Sequence, residues 1–395
     1  MNQHDASQPL TMSGVIRVAI IGAGPAGCTL AWRLARMGAR VTIVEKSTFP
    51  RVKVCGEFVS PAATDILEQV IPPPRLLELG AHRVHEMAVE MCDAAGRERR
   101  AEFPMPRSAW ALSRAALDDA LLALTRARGA VIMQPATVRE VSYTQGGVAI
   151  RLMDGQVINA DLVVHADGSG RHDPAGPTPL RDGFVGLKCH LRVLPNSASR
   201  GGSQLMRGVT IRACHSAYVG TIGVEHGLAT CALVARSSLV RTFAGNHDAM
   251  LTSLWPAFNH SWREGAWLSC GVARSRYIEP GHARSFRIGN AAGAVDPIGG
   301  EGIGLALWSA WTLANELEPV IAGATESGAL NMPRLAAARS RFASLYRARL
   351  RSRLPVCAAA SWALVRPGLM RALWPVISRP NLAIEPWYRL SGKPV

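Results

Sequence analysis

The 395-residue sequence lacks the patterns that mark several common classes of protein. Its eight cysteines form no CxxC pair and its 11 histidines no HExxH motif, which argues against a zinc site and a disulfide framework. The longest nearly apolar stretches, such as 354–365, are shorter than the ~20 residues that span a bilayer. The polar residues 1–14 are expected to form a flexible leader rather than a signal segment. These absences predict a cytoplasmic protein without a metal.

Acidic residues are scarce, especially near the C-terminus. The chain has 44 Lys and Arg against 29 Asp and Glu, a formal charge of +15. Residues 331–395 contain eleven arginines and one lysine but a single acid, Glu385. Aromatic residues make up only 6%, and no finger, RRM-like or basic-zipper pattern accompanies the charge, so we expect no nucleic-acid partner.

The basic segment 335–354 places apolar residues at helical spacing, with arginines filling much of the remainder. Such a helix can lie on the inner face of an anionic membrane and deliver a lipid-soluble substrate. The favoured alternative is a final helix that packs on the core and keeps its arginines in water. The sequence leaves the oligomeric state open.

A glycine-rich turn stands between an apolar strand at 15–21 and a helix at 28–37. It has the GxGxxG spacing, in which the first glycine permits a tight turn, the second lets a pyrophosphate approach and the third allows close packing of helix and strand. Glu45 ends the next strand, where a carboxylate can bind the ribose hydroxyls. This arrangement predicts a dinucleotide-binding βαβ unit. The turn consists of Gly22, Ala23, Gly24, Pro25, Ala26 and Gly27.

Two later segments suit a long, extended cofactor. Residues 161–170 form a buried strand that ends in Asp167-Gly168, and 287–304 combine a strand with a glycine-rich entry to a helix. The start of that helix, near 302–304, can face the edge of a flavin that gains negative charge on reduction.

With these motifs, the chain resembles the FAD-dependent oxidoreductases of the para-hydroxybenzoate hydroxylase superfamily, and above all its geranylgeranyl-reductase-like branch. The branch-like segments are 51–61 and 296–303, and the match extends over about 15–317. One position departs from the family pattern: Asn290 follows Gly289 where an aspartate is usual. Asn can still accept a hydrogen bond from the cofactor, but without the charge, so looser FAD binding is expected.

The resemblance implies an α/β fold: a Rossmann-type FAD-binding domain of the GR2-like kind, an inserted antiparallel-sheet substrate domain and a helical C-terminal region. The expected FAD-binding domain is discontinuous and comprises 15–178 and 281–320. The half-buried alternation within 179–280 predicts the substrate-binding β-sheet layer. Residues 321–395 form the basic helical region.

The motifs and the resemblance assign a set of residues to FAD, with Arg114 placed near the phosphates by the resemblance. The set is Gly22, Gly24, Pro25, Ala26, Gly27, Glu45, Lys46, Lys53, Cys55, Gly56, Arg114, Asp167, Gly168, Gly289, Asn290, Asp296, Gly300, Gly302 and Ile303.

Four residues are candidates for contact with substrate. The resemblance puts Cys55 beside the flavin ring, where its thiol either packs or takes a redox or proton role. Glu57 and Glu301 are possible proton donors if their pKa values are raised, although a helix-capping role is favoured for Glu301. Trp308 either lines an apolar pocket or, more commonly, belongs to a core helix.

The resemblance implies an enzyme that takes electrons from NAD(P)H or another donor. The leading hypothesis is a reductase that transfers hydride from reduced FAD to a C=C bond of a lipophilic isoprenoid or polyketide-like substrate. The alternative is a monooxygenase that hydroxylates an aromatic or polycyclic molecule through a flavin hydroperoxide. A third hypothesis is a non-catalytic flavoprotein that its basic tail docks to a membrane or a partner. The same fold supports all three.

Overall fold

The computed structural model describes residues 14–92, 96–168, 180–192, 208–379 and 386–388. The expected leader, apart from residue 14, and most of the chain after residue 379 lie outside the described residues. The strands are β1 (Arg17–Ile21), β2 (Arg40–Val44), β3 (Phe58–Val59), β4 (His82–Cys92), β5 (Glu98–Ala111), β6 (Val131–Met133), β7 (Val138–Tyr143), β8 (Val148–Leu152), β9 (Val157–Ala160), β10 (Leu162–His165), β11 (Leu180–Arg192), β12 (Val209–Cys214), β13 (Ala217–Gly223), β14 (Leu228–Arg236), β15 (Arg263–Ala273), β16 (Arg276–Tyr277), β17 (Ser285–Arg287) and β18 (Gly293–Ala294). The helices are α1 (Pro25–Arg36), α2 (Pro61–Val70), α3 (Pro73–Glu78), α4 (Arg114–Ala127), α5 (Ser237–Thr242), α6 (His247–Leu254), α7 (Gly302–Ser327), α8 (Met332–Leu364) and α9 (Pro367–Ile377).

A five-stranded parallel sheet forms the centre of the nucleotide-binding part, in the order β17-β10-β1-β2-β6. Its strands are short and apolar because both faces are covered: α1 and α7 pack together in the main core, and the antiparallel β7-β8-β9 sheet packs against Ala19, Ile21 and Val163. Ile21 pairs with His165, and His165 pairs with Arg287. The three strands therefore end side by side, and the segments that follow them meet at one edge of the sheet.

An eight-stranded sheet forms the second layer, in the order β15-β11-β14-β13-β12-β4-β5-β3. Neighbouring strands are antiparallel except β12 and β4, which are parallel. The expected antiparallel layer of 179–280 is thus present, and it extends back to 82–111. The strands β4 and β5 were not predicted from the sequence, because charged residues interrupt the alternation of apolar and polar residues that marks a half-buried strand.

The eight-stranded sheet has two chemically different faces. Leu187, Cys189 and Leu191 of β11 join an apolar cluster with α6 on one face. The alternate residues Lys188 and His190 lie on the other face and contact Glu57 of the nucleotide-binding part. Because side chains alternate along a strand, β11 gives one face to its core and the other to the neighbouring layer.

The C-terminal helices α8 and α9 pack on the rest of the chain through apolar faces. Leu335, Ala338 and Phe342 of α8 lie in the main core. Further along, Leu364 and Met370 join a cluster with residues of the eight-stranded sheet. None of the described helices combines the length and apolar character needed to cross a membrane.

Candidate functional site

The three glycine-containing motifs converge at the end of the parallel sheet. Gly22 has a φ of +105°, and a Cβ there would lie only 2.7 Å from the carbonyl oxygen of Ala166, directly before Asp167. Glycine is therefore required where the first motif crosses the second. A Cβ on Gly168 would lie 4.0 Å from that of Asn290, so the second motif also adjoins the third. Asn290 is exposed at this junction.

The N-terminus of α1 opens onto a space lined by two guanidinium groups. The helix begins after Gly24, and no side chain caps it. A Cβ on Gly24 would lie 3.8 Å from Nη2 of Arg114 and 4.0 Å from Nη2 of Arg51. A helix N-terminus, a residue without a side chain and two cations together form an anion-binding site.

Carboxylates hold these two arginines in place. Buried Asp118 accepts two hydrogen bonds from Arg114, 2.7 Å from Nε and 2.6 Å from Nη2. Burial alone would lower the pKa of Arg114, but the charge and hydrogen bonds of Asp118, with a smaller contribution from Cys55, together outweigh it and raise the pKa. Nη2 of Arg51 lies 3.6 Å from Asp118 and 3.7 Å from Glu45. These carboxylates therefore fix the position of both guanidinium groups.

Arg51 retains unused hydrogen-bond donors. Its Nε and Nη1 atoms are buried and have no hydrogen-bond partner among the residues that the structure describes. Buried donors without partners are costly, so such groups usually indicate a missing ligand. The pyrophosphate of FAD fits, because it brings acceptor oxygens to the space beside Gly24.

Glu45 lies at the end of β2, as expected for a residue that binds ribose. Its carboxylate is 5% exposed and accepts hydrogen bonds from the backbone N–H groups of Ala23 and Ser47, both at 2.9 Å. These contacts fix the carboxylate beside the glycine-rich turn. Each oxygen has a second lone pair that can accept from a ribose hydroxyl.

A second buried carboxylate, Glu57, joins the two layers. One oxygen accepts from the backbone N–H of Arg114 at 2.7 Å and from Nζ of Lys188. The other lies 2.8 Å from Nε2 of His190 and accepts from the hydroxyl of Thr230. We call Glu57, Lys188, His190 and Thr230 the Glu57 cluster. It ties the cofactor-facing segment and the start of α4 to the eight-stranded sheet.

The Glu57 cluster does not support the proposed proton donor at residue 57. Burial favours the protonated acid, but the hydrogen bond with His190 and the charge of Lys188 prevail and lower the pKa of Glu57 to about 2. A proton donor needs the opposite shift. The carboxylate is ionised and committed to four partners, so Glu57 acts as an anchor for its neighbours.

The segment between Arg51 and Glu57 presents small or exposed residues near the arginines. Cys55 is half-buried, and its Sγ accepts a hydrogen bond from the N–H of Glu57 at 3.3 Å. Gly56 is exposed with open space around its Cα, which leaves room for a ring. Lys46 and Lys53 are both exposed. Direct contacts of these four residues with FAD, and a redox role for Cys55, stay predictions.

The glycine-rich segment before α7 also presents a helix N-terminus. Gly302 is exposed at the start of the helix, Ile303 is buried, and no side chain caps the N–H groups. The carboxylate of Asp296 is occupied by Tyr218, Arg181 and the N–H of Ile298, which fixes the turn at Pro297–Gly299. Gly300 follows with a φ of +60°.

Glu301 does not cap α7, which corrects the favoured expectation. Its side chain is 2% exposed and makes no capping hydrogen bond. Its negative charge instead acts on Arg349 and Arg353 of α8. Trp308 is half-buried, meets Tyr346 edge-on at 5.6 Å and lies under Arg349, which is typical of a core helix. A substrate contact for Trp308 stays a prediction.

Comparison with known proteins identifies the cofactor. Residues 15–172 match the family model described as an FAD binding domain. This part of the chain is therefore similar to the FAD binding domain family. The match covers the glycine-rich turn, both arginines and the Asp167-Gly168 pair. FAD is therefore the cofactor that the match supports, and the remaining chain supplies the third motif and the second layer.

Relatives and solved structures extend this result. The chain is 30% identical over 157 residues to a menaquinone reductase of Mycobacterium tuberculosis H37Rv, which covers 38% of this chain and 37% of the relative. It is 31% identical over 161 residues to a 6-methylpretetramide 4-monooxygenase of Streptomyces rimosus, with 38% of each covered. The chain thus spans well under half of these relatives.

The fold as a whole matches PqsL of P. aeruginosa, with a TM-score of 0.71 and 18% identity over 91% of this chain and 99% of that one. These comparisons support the para-hydroxybenzoate hydroxylase type of FAD-dependent protein. They do not single out the geranylgeranyl-reductase-like branch.

Several residues of the site were not predicted from the sequence. Asp118 has a recognisable signal, because it lies four residues after Arg114 on one helix face. Lys188 and His190 have a weaker one: they are polar at alternate positions of an otherwise apolar strand. Thr230 and Tyr218 carry no local signal, since only the pairing of distant strands brings them to the site.

Proposed function

We propose that the protein is an FAD-dependent oxidoreductase. The observation that carries this proposal is the guanidinium of Arg51. Its Nη2 atom lies 4.0 Å from the position of a Cβ on Gly24, and its buried Nε and Nη1 atoms have no hydrogen-bond partner among the described residues. Bound FAD supplies hydride transfer or oxygen activation, depending on the branch. The chain's own residues bind the phosphates, place the uncapped N-terminus of α7 near the ring and enclose a substrate against the eight-stranded sheet.

Our leading hypothesis for the reaction is reduction of a C=C bond in a lipophilic isoprenoid or polyketide-like substrate. The similarity to a menaquinone reductase supports it. Such a reaction also needs a proton at the second carbon. Half-buried His190, whose Nε2 lies 2.8 Å from the carboxylate of Glu57, is our candidate for relaying it. Glu57 itself stays ionised and orients the imidazole ring of His190.

A second candidate, a monooxygenase acting on an aromatic or polycyclic molecule, has equal support. The similarity to 6-methylpretetramide 4-monooxygenase favours it. Both reactions use the same FAD-binding residues, so the geometry of the phosphate site does not separate them. In both cases NAD(P)H or another donor reduces the flavin.

The two candidates separate in one rapid-mixing experiment. FAD-loaded protein is photoreduced without oxygen and mixed either with a short-chain menaquinone or with buffer containing ¹⁸O₂ and a phenolic polyketide. A reductase of the C=C bond reoxidises with the quinone, whose mass stays two hydrogens higher after air has returned the ring to the quinone form, and it reacts slowly with oxygen. A monooxygenase reoxidises rapidly with oxygen and labels its product with ¹⁸O. Protein that takes up no FAD would contradict both proposals.

A further inference from the structure

Helices α8 and α9 both expose large apolar side chains. Trp362 is 52% exposed, Leu373 38% and Val376 48%. The inward residues Leu364 and Met370 of the same helices lie in one cluster with the eight-stranded sheet. Because α9 begins only three residues after the end of α8, these exposed residues belong to two consecutive helices.

Arginines surround these apolar residues without any neighbouring acid in the sequence. Residues 331–379 contain ten arginines and no aspartate or glutamate. Arg351, Arg371 and Arg379 are exposed, and Arg366 stacks on the ring of Trp362 at 4.4 Å. We name this set the docking surface; it comprises Arg351, Trp362, Arg366, Arg371, Leu373, Val376 and Arg379.

The first half of α8 is a poorer membrane contact than its sequence indicates. Arg341 pairs with Glu316 and Arg347 with Glu279, while Arg339 donates to the carbonyl oxygen of His282. These arginines are used within the protein. The charge available to a partner therefore lies further along the chain than the amphipathic segment 335–354.

We propose that the docking surface binds the surface of an anionic lipid bilayer. An exposed tryptophan and aliphatic residues can enter the headgroup region, and arginines at their margin attract anionic headgroups. An acidic protein partner would satisfy the charge, but the apolar residues flanked by arginine on short helices favour a lipid interface. Docking itself does not depend on the reaction that the enzyme performs.

The docking surface is connected to the cofactor site. Ser361, next to Trp362, accepts a hydrogen bond from Nη1 of Arg181 at 3.2 Å. Arg181 also binds Asp296, which fixes the turn before the flavin-facing helix α7. A bilayer bound at this surface would lie beside the wall of the substrate space. This step rests on the proposed function, since it assigns the enzyme a substrate drawn from the membrane.

Vesicle flotation of the full-length, FAD-loaded protein tests the proposal. Vesicles of phosphatidylcholine alone are compared with an equimolar mixture of phosphatidylcholine and phosphatidylglycerol. We expect binding to the anionic vesicles that weakens with salt. The variant Arg351→Gln/Arg371→Gln/Arg379→Gln should reduce binding on the order of 10- to 100-fold, since each basic residue near the surface contributes about 1 kcal/mol. Leu373→Ser/Val376→Ser should reduce it by a similar order.

Matched controls use residues outside the docking surface. Arg107→Gln and Leu77→Ser change an exposed arginine and an exposed leucine elsewhere and should leave vesicle binding intact. FAD content and photoreduction, measured on the same samples, show whether each variant is folded. Loss of FAD chemistry with retained vesicle binding would contradict the proposed function alone.

Four results would overturn the proposal: no vesicle binding, equal binding to neutral vesicles, retained binding in both surface variants, or equal loss in the controls. Two other occupants of the docking surface are tested in parallel: sedimentation of the wild-type protein detects a second copy of the chain, and competition with a DNA duplex detects nucleic acid. A dimer that the same substitutions dissociate would assign the surface to a second copy of the chain. Binding to a DNA duplex that competes with the vesicles would assign it to nucleic acid.

Discussion

Arginine plays different parts in two regions of the molecule. At the FAD-binding turn, Arg51 and Arg114 lie within reach of the carboxylates of Asp118 and Glu45. In 331–379, ten arginines have no acid in their own segment. Their partners are carbonyl oxygens, aromatic rings, or acids from other parts of the chain, as with Arg341 and Glu316.

The difference shows how surroundings decide what a cation does. A carboxylate behind a guanidinium fixes its direction and keeps its charge, so the group is organised before a ligand arrives. An exposed arginine without such support loses conformational freedom when it binds and recognises charge more than shape. The first arrangement suits one pyrophosphate, and the second suits a surface of many headgroups.

The largest expected effect on FAD binding separates the two regions directly. Arg51→Gln should weaken FAD binding by about 10- to 100-fold, because it removes charge-assisted hydrogen bonds worth about 1.5–3 kcal/mol. Titration with FAD, followed by flavin fluorescence, measures the Kd. Arg107→Gln is the control, since Arg107 forms an exposed pair with Asp65 in the same part of the chain. Equal affinities in the two variants would refute the assigned role of Arg51.

Substitution in the Glu57 cluster is expected to cause a comparable loss, in the free energy of unfolding rather than in the affinity for FAD. Glu57→Gln removes the counter-charge of Lys188, which is 1% exposed, and should lower the free energy of unfolding by about 3–5 kcal/mol. Urea unfolding measures it. Glu264→Gln breaks an exposed pair with Arg192 and should cost no more than about 1 kcal/mol.

The double variant Glu57→Gln/Lys188→Met distinguishes an unpaired charge from lost packing. It should recover part of the stability, because it removes the charge left without a counter-ion. A double variant as unstable as the sum of both single changes would show that packing, rather than charge, dominates at this position.

The pH dependence of stability follows from the same cluster. The pKa of Glu57 is lowered from 4.5 to about 2, so its contribution is complete above pH 4.5 and is lost as the pH falls towards 2. The wild type should therefore lose about 3 kcal/mol more than Glu57→Gln across this interval. Urea unfolding at a series of acidic pH values measures the difference. A variant as acid-sensitive as the wild type would contradict the assigned shift.

Local patterns of the sequence predicted the nucleotide-binding part well. The glycine-rich turn, the helix that follows it and the position of Glu45 at the end of the next strand depend on residues close together in the chain. By contrast, β4 and β5 contain several charged residues whose partners are supplied by distant strands, as Glu90 pairs with Arg212. Sequence periodicity does not record such pairs.

The roles of two acids could not be derived from position alone. Glu301 stands where a helix cap is expected, yet its charge acts on Arg349 and Arg353, more than forty residues along the chain. Glu57 stands beside the cofactor segment, yet Lys188 and His190 hold it ionised. In both cases the charged partners come from elements that only the fold brings together. They replace the expected helix cap at Glu301 and the expected proton donor at Glu57.

The smallest expected effect tests whether the two regions truly differ. Arg349 of α8, like Arg51, has buried guanidinium atoms, Nε and Nη2, without a hydrogen-bond partner among the described residues. Burial lowers the pKa of Arg349 to about 10. Its guanidinium lies 4.9 Å from the ring of Trp308, and the FAD-binding turn is formed by other residues.

Arg349→Met should therefore leave the Kd for FAD unchanged. It should alter the free energy of unfolding by no more than about 1 kcal/mol, because Arg353 remains beside Glu301 and the change removes only donors that make no hydrogen bond and a cation over an aromatic ring. FAD titration and urea unfolding measure both. If Arg349→Met weakened FAD binding as much as Arg51→Gln, unpartnered donors in the two regions would serve one ligand, and the carboxylates behind Arg51 and Arg114 would not explain the selectivity of the site.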